Sequence, residues 1–220
     1  RSTISDELHK ILLDTAYKIR KNKKLKKDND YRKRLAGNLS EEYSYANAFT
    51  NKEDFIIEEE LTWLASNFTK SSKDATGTDY SLEPKDILMM RPVWVNFMKA
   101  AEWNPAHNHT GDISCVMFLK VPKEISEENT NAEHTIKSNT PSVGKLEFLY
   151  GEQIGFSNTG LLFTPREKDI YFFPAKLHHQ VYPFKYKTER ISVSVNFSDK
   201  VNAKNNLQAK SERYMQGKNG

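Results

Sequence analysis

Four of the six histidines stand in two short segments, His107-Asn108-His109 and His178-His179. On a strand, residues two apart share a face, so His107 and His109 can bring two imidazole nitrogens toward one point, as two metal bonds from one stretch of chain require. A third ligand must come from elsewhere. The His178-His179 pair lies in a strand-rich segment whose pairing with the first would close such a site. In the arrangement of two histidines and one carboxylate on one face of a metal, positions stay open for other ligands. Here the i+2 place after His107 holds His109, and the nearest carboxylates are Asp112, three residues further on, and Glu102 before the pair. The competing reading of either pair alone is surface histidines that bind nothing. Arg190 and Ser192 form another constellation. On a strand they share a face, and a planar guanidinium beside a hydroxyl suits two-pronged capture of a carboxylate. A surface salt bridge with Glu189 or Asp199 is the plainer role for Arg190.

These residues need rigid elements to hold them. Pro92–Met98, Ile113–Val121, Lys145–Tyr150, Gly160–Thr164, Asp169–Phe173, His179–Phe184 and Arg190–Ser198 are short runs rich in Val, Ile, Phe and Tyr, separated by Gly, Pro, Asn and Asp. Runs of that kind without intervening helices predict an antiparallel sandwich or barrel. The last run alternates most cleanly, with Ile191, Val193, Val195 and Phe197 on one face and Arg190, Ser192, Ser194 and Asn196 on the other. Such a polar face either meets solvent or lines a cavity. Before residue 72 the period is helical. Leu8, Ile11, Leu12, Ala16 and Ile19 make one stripe of a helix over Asp6–Arg20, capped by Ser5 or Thr3, and a second helix runs from a cap at Asn51 to about Phe68. Ala36–Thr50 reads as a polar connection, Pro122–Gly144 as a lid or disordered loop, and the tail after Lys200 as fraying, with Leu207 and Tyr214 able to dock a short helix. The expected domains are a helical N-terminal elaboration over 1–72, a β domain over 73–200 and a polar tail over 201–220.

With the elements in place, a family resemblance enters. Trp94-Val95-Asn96, then Asn104-Pro105-Ala106-His107-Asn108-His109-Thr110-Gly111-Asp112-Ile113-Ser114, then Asp169 to Ala175 leading into His179-Gln180-Val181, and finally Arg190 to Phe197 resemble the 2-oxoglutarate/Fe(II)-dependent dioxygenases. The likeness is to a prolyl-hydroxylase-like branch from bacteria and their phages and spans roughly residues 85–198. It implies a mainly β fold, the double-stranded β-helix or jelly roll, with the N-terminal helices packed on one sheet. It further implies Fe(II) as metal and 2-oxoglutarate and O2 as cosubstrates, with the distal carboxylate of 2-oxoglutarate held by Arg190 and supported by Ser192. The x-His-x-Val pattern picks His179 over His178. The family's usual first motif is His-x-Asp/Glu, so this chain departs from it at His109. Either His107, His109 and His179 bind the metal, the set that strand geometry favours, or Asp112 supplies the carboxylate. Three neutral ligands would leave more positive charge on the metal and tighten chelation of 2-oxoglutarate. The implied reaction decarboxylates 2-oxoglutarate to succinate and hydroxylates a substrate, a prolyl or other protein side chain being one candidate. Trp94, Trp103, Phe118 and Phe173 could wall the cavity.

Composition narrows the alternatives. The 220 residues suit one domain with an elaboration, and 12 Phe, 10 Tyr and 3 Trp furnish a core although mean hydropathy is low, at -0.73. A single cysteine, Cys115, cannot close an internal disulfide, which points to a reducing compartment such as the cytoplasm and leaves any metal to His and carboxylates. The start at Arg1 fits a processed or trimmed product. A net charge of +4 from 33 basic and 29 acidic side chains does not suggest a nucleic-acid or membrane partner. The basic run Lys21–Lys27, continued by Arg32, Lys33 and Arg34, reads as a solvated helix end. Two other functional readings stand beside the oxygenase: a jelly-roll binding module without turnover, and a cupin-like enzyme with three histidines and no cosubstrate.

Overall fold

The computed structural model describes residues 1–130, 141–152, 155 and 158–204. Its strands are β1 Ser2–Thr3, β2 Glu41–Ser44, β3 Ile87–Met89, β4 Trp94–Lys99, β5 Asn104–His107, β6 Ile113–Lys120, β7 Leu146–Leu149, β8 Gly160–Phe163, β9 Asp169–Pro174, β10 His178–Val181 and β11 Glu189–Asp199. The α-helices are α1 Asp6–Lys21, α2 Lys23–Asp28, α3 Asn51–Thr76 and α4 Lys123–Glu127. One sheet runs β1-β9-β6-β11-β4-β2, with β3 also paired to β11, and the second runs β5-β10-β7-β8. The pairings within both are antiparallel. The fold is the jelly roll.

The strict alternation of β11 explains how the layers form. Ile191, Val193, Val195 and Phe197 are fully buried and pack with Leu8, Leu12, Ala16 and Ile19 of α1 and Ile57, Leu61 and Ala65 of α3. A second core, with Met98, Phe118, Leu146, Phe148, Tyr171, Phe173 and Phe184, lies on the other side of the sheet. Arg190, Ser192, Ser194 and Asn196 therefore face inward, and all four are buried. A polar row in that position has to line a cavity or be hydrogen-bonded, since a buried polar group without a partner costs free energy.

Local chemistry sets the helices. Ser5 Oγ accepts from the Leu8 N–H, and Asp6 and Glu7 occupy the positive end of α1. The start of α3 differs from expectation. Thr50 is its cap, Glu53 reaches back to close a capping box, and the helix continues past Phe68 to Thr76. Thr69, Ser71, Ser72 and Thr76 turn their hydroxyls onto carbonyls of the preceding turn, and no chain-breaking residue intervenes until the left-handed Gly77.

Ala36–Thr50 is not merely a connection, for it contains β2, paired along β4. Tyr43 and Tyr45 join the helix-side core while Glu42 and Ser44 turn toward the other face. That period-two pattern escapes notice because its inward residues are polar. β1, β3 and β5 likewise go beyond the seven expected strands. Pro122–Gly144 begins with α4, while 131–140 lie outside the described residues, as do Leu207 and Tyr214 in the tail. The basic run ends α1 and forms α2, where Lys26 donates to Glu41, a buried carboxylate that also accepts from Arg20 and Lys99. Cys115 is a fully buried strand residue. Among the described residues no helix is long and apolar enough to cross a membrane.

Candidate active site

Strand register brings the two histidine segments together. In the β5–β10 pair, His107 lies directly opposite His179, so both imidazoles project from one face of the smaller sheet. His109 is two residues past the end of β5, where its N–H donates to the Ala175 carbonyl at 2.8 Å. Gly111 follows with φ +90°, and a side chain there would run into the Phe197 carbonyl, so the turn from His109 into β6 depends on glycine.

One nitrogen from each of His107, His109 and His179 falls within 4.8 Å of the others. The His107 ring donates through Nδ1 to the Pro105 carbonyl at 2.6 Å, and His179 donates through Nδ1 to the Leu177 carbonyl at 3.0 Å. Because a carbonyl only accepts, these bonds place both protons on Nδ1 and leave each Nε2 lone pair free, as metal-binding histidines require. The Nε2 atoms of His109 and His179 are 3.1 Å apart. Two imidazoles bound at right angles to a metal at about 2.1 Å would stand ~3.0 Å apart. The His109–His179 pair thus stands at a separation that two ligands of one metal ion can take.

Electrostatics keeps the cluster ready. Burial, followed by the neighbouring imidazoles, pushes His109 down to about 3, and burial together with His107 pushes His179 down to about 4; His107 is lowered too, chiefly by burial. The rings are therefore neutral near pH 7, the state that binds metal. Below the ordinary histidine pKa of 6.5 the unfolded chain takes up protons that the folded chain refuses, so these groups remove stability as pH falls from about 6.5 toward 4. Glu42, raised to about 7, acts in the opposite sense and offsets about one histidine. The expected net result for the metal-free protein is a loss on the order of a few kcal/mol between pH 7 and pH 4.5, read from denaturant midpoints.

Asp112 is placed elsewhere. Its carboxylate accepts from the Asp199 N–H at 2.9 Å and belongs to a separate groove beside Phe68 and Leu82. Asp112→Asn should leave metal affinity within about twofold of the parent, measured by competition with a chromogenic chelator. His178 is exposed and its Nε2 lies 3.4 Å from the Asn108 amide, outside the three-imidazole cluster. Glu102 is also absent from that cluster; its carboxylate accepts from the backbone of Ser40 and Lys99.

The three histidines open into a cavity of about 210 Å³, lined also by Trp94, Asn96, Phe118, Phe173, Arg190 and Ser192. Trp94 and Phe173 flank His109 at ring separations of 5.5 and 6.3 Å, and Phe173 lies 4.6 Å from His179. Trp103 is not part of this lining; its backbone bridges to Asn38. Arg190 is 2% exposed and stacks over Phe118 at 5.4 Å. It donates to the Gly144 carbonyl and the Met98 sulfur, and among the described residues its Nε has no partner. Among the described residues no carboxylate lies within ion-pair distance of it. Burial pushes its pKa down to about 10, which leaves it charged at neutral pH. A buried cation short of partners calls for an anion. One cavity therefore holds a buried cation suited to a carboxylate and three imidazoles suited to a metal.

The lining residues not anticipated as site groups include Glu42, Asn96 and Asn104. In register, Glu42 faces Asn96 and Asn96 faces Ser192, so they form one polar row across β2, β4 and β11. The signal available for Glu42 was the alternation of Glu42 and Ser44 with Tyr43 and Tyr45.

Comparison with known proteins adds a family match over part of the chain. Residues 92–196 match the family model described as "Putative 2OG-Fe(II) oxygenase". No curated protein sequence matches the chain. Among solved structures it resembles AviO1 from Streptomyces viridochromogenes Tue57, with 13% identity and a TM-score of 0.55 over 90% of this chain and 86% of that one. It also resembles two enzymes of nogalamycin biosynthesis, the non-heme alpha ketoglutarate dependent carbocyclase SnoK and epimerase SnoN. Identities are 9% and 10%, TM-scores 0.52 and 0.51, over 89% of this chain and 76% and 75% of theirs. At such identities the likeness establishes the fold. Segment 92–196 thus carries the pattern of the 2OG-Fe(II) oxygenases, a family that implies Fe(II) as cofactor and 2-oxoglutarate and O2 as cosubstrates.

Proposed function

We propose that this oxygenase binds Fe(II) through His107, His109 and His179, holds the distal carboxylate of 2-oxoglutarate on Arg190 with Ser192 in support, and hydroxylates a C–H bond of a substrate bound in the same cavity. The observation that carries the reading is the buried Arg190 guanidinium, without a carboxylate partner among the described residues, in one cavity with three imidazoles, two of which, His107 and His179, hold their protons on the far side. In the overall reaction 2-oxoglutarate, O2 and R–H give succinate, CO2 and R–OH. Iron, when bound, supplies the activation of O2 that a protein side chain cannot provide.

The chain's own part is positioning and exclusion. The Pro105 and Leu177 carbonyls fix the tautomers of His107 and His179, so that their lone pairs rather than their protons face the metal. Arg190 sets the orientation of the dicarboxylate by holding the end remote from the reacting carbon. Trp94, Phe118 and Phe173 wall the cavity and keep water from competing with the substrate. A prolyl or other protein side chain would have to enter past Arg34–Gly37, the segment that lines the same cavity.

Succinate release by the Fe(II)-loaded protein, without added substrate, tests the reading. The expected result is slow, 2-oxoglutarate-dependent succinate formation in step with O2 consumption. No release would favour the binding module, and O2 consumption independent of 2-oxoglutarate would favour the cupin-like enzyme.

A further inference from the structure

The oxygenase reading accounts for the histidines and for Arg190 but leaves the acceptor-lined part of the cavity unused. Glu42 is 1% exposed, and its Oε2 has no hydrogen-bond partner among the described residues. The side-chain oxygens of Asn96 and Asn104 are likewise buried and unpartnered, and all three residues line the cavity that holds the histidines. Buried oxygens of this kind are normally satisfied, and leaving one bare costs about 1–3 kcal/mol. Three in one cavity are an arrangement awaiting donors. Gly37 makes the approach possible, since a Cβ there would overlap both Glu42 Oε1 and Asn104 Oδ1. Arg190 occupies a different position in the row, opposite Met98, whereas Glu42 and Asn96 lie opposite each other.

We propose that Glu42, with Asn96 and Asn104, is the substrate-recognition subsite, and that the substrate presents a cationic nitrogen to it, an alkylammonium or guanidinium group. The assignment rests on the oxygenase reading for the word substrate, but the subsite is defined by its own residues. A carboxylate and two amide oxygens offer acceptors to a group rich in donors. An ammonium carries three N–H donors and no acceptor, which matches the three oxygens, and its positive charge would hold Glu42, which burial alone makes harder to ionise, in the carboxylate form. A substrate carboxylate would be repelled at Glu42 and drawn to Arg190 instead, so the two side chains sort cosubstrate from substrate by sign. The same nitrogen could arrive on a free amine or on a lysyl or arginyl side chain.

Calorimetric titration of the metal-loaded, 2-oxoglutarate-bound protein under anaerobic conditions with pentylamine, 1-pentanol and pentanoate separates the possibilities. Pentylamine should bind, and the two other probes should bind at least tenfold more weakly. Glu42→Gln, which keeps the shape and removes the charge, should weaken pentylamine at least tenfold while retaining 2-oxoglutarate binding. A blocked Ala-Lys-Ala peptide that binds as well as pentylamine would assign the nitrogen to a protein side chain, and a peptide that fails where pentylamine binds would assign it to a small amine. The proposal is overturned if pentylamine fails to bind the parent at tens of millimolar, if pentanol or pentanoate binds as well, or if Glu42→Gln binds it unchanged. Loss of 2-oxoglutarate binding in Glu42→Gln would also overturn it, by placing Glu42 in the cosubstrate site. Failure of the parent itself to bind 2-oxoglutarate would instead sink the oxygenase reading, whatever the amine does.

Discussion

Arg190→Met should weaken 2-oxoglutarate binding by at least a hundredfold, with metal affinity unchanged and stability in the absence of 2-oxoglutarate equal to or above that of the parent. Two opposite consequences of burial produce this combination. With the dicarboxylate bound, Arg190 supplies a two-pronged, charge-assisted contact in a site from which water is excluded, and removing one partner of such a pair typically costs about 3–5 kcal/mol. Without it, the guanidinium is a charge held at 2% exposure by a carbonyl, a thioether and an aromatic face. A methionine of similar length would keep the packing against Phe118 and Met98 and remove the desolvation cost, an exchange that is often neutral or stabilising. Arg190→Lys tests the geometry separately, because an ammonium keeps the charge and loses the planar fork. It should recover only part of the affinity. If Arg190 were structural, Arg190→Met would lower the unfolding midpoint and leave 2-oxoglutarate binding intact.

The second large effect concerns the metal. His179→Ala should lower metal affinity by more than the roughly 10–100-fold that losing an outer-shell partner costs, because it removes a ligand atom itself. The neighbouring His178→Ala should change it less than twofold. The contrast follows from the alternation of β10. His179 is 5% exposed and lies opposite His107, whereas His178 is exposed and turned to the other face. Competition titration with a chromogenic chelator reads both variants, and equal losses would show that the pair acts through the strand rather than through one imidazole. Metal affinity in the parent should also fall with pH, since protons compete for the same lone pairs.

Much of this site was legible before the fold was known. Its ligand candidates needed only the spacing of His107 and His109 and the strand character around His179. Period-two alternation put Arg190 and Ser192 on one polar face of β11 and left open whether that face met solvent or lined a cavity; its burial decides for the cavity. What stayed hidden were the residues whose signal was diluted. β2 is four residues long, with two glutamates and a serine, and only its two neighbouring roles, tyrosines toward the helices and Glu42 toward the cavity, make sense of it. The cap of α3 was misplaced by one residue because Asn51 and Thr50 are both good caps, and only the reciprocal bond from Glu53 decides between them. Asp112 stood as the alternative to His109 because it is the nearest carboxylate in sequence. Its carboxylate is instead engaged by the Asp199 backbone, a contact 87 residues away in sequence that no local pattern announces.

The account stands or falls on whether one cavity holds both the metal and the dicarboxylate. Anaerobic titration of the Fe(II)-loaded protein with 2-oxoglutarate, followed by visible absorption, tests this directly. A weak charge-transfer band should appear, saturate at one equivalent bound, and be missing from both His179→Ala and Arg190→Met. Absence of the band in the parent at saturating 2-oxoglutarate, or its persistence in Arg190→Met, would contradict the account.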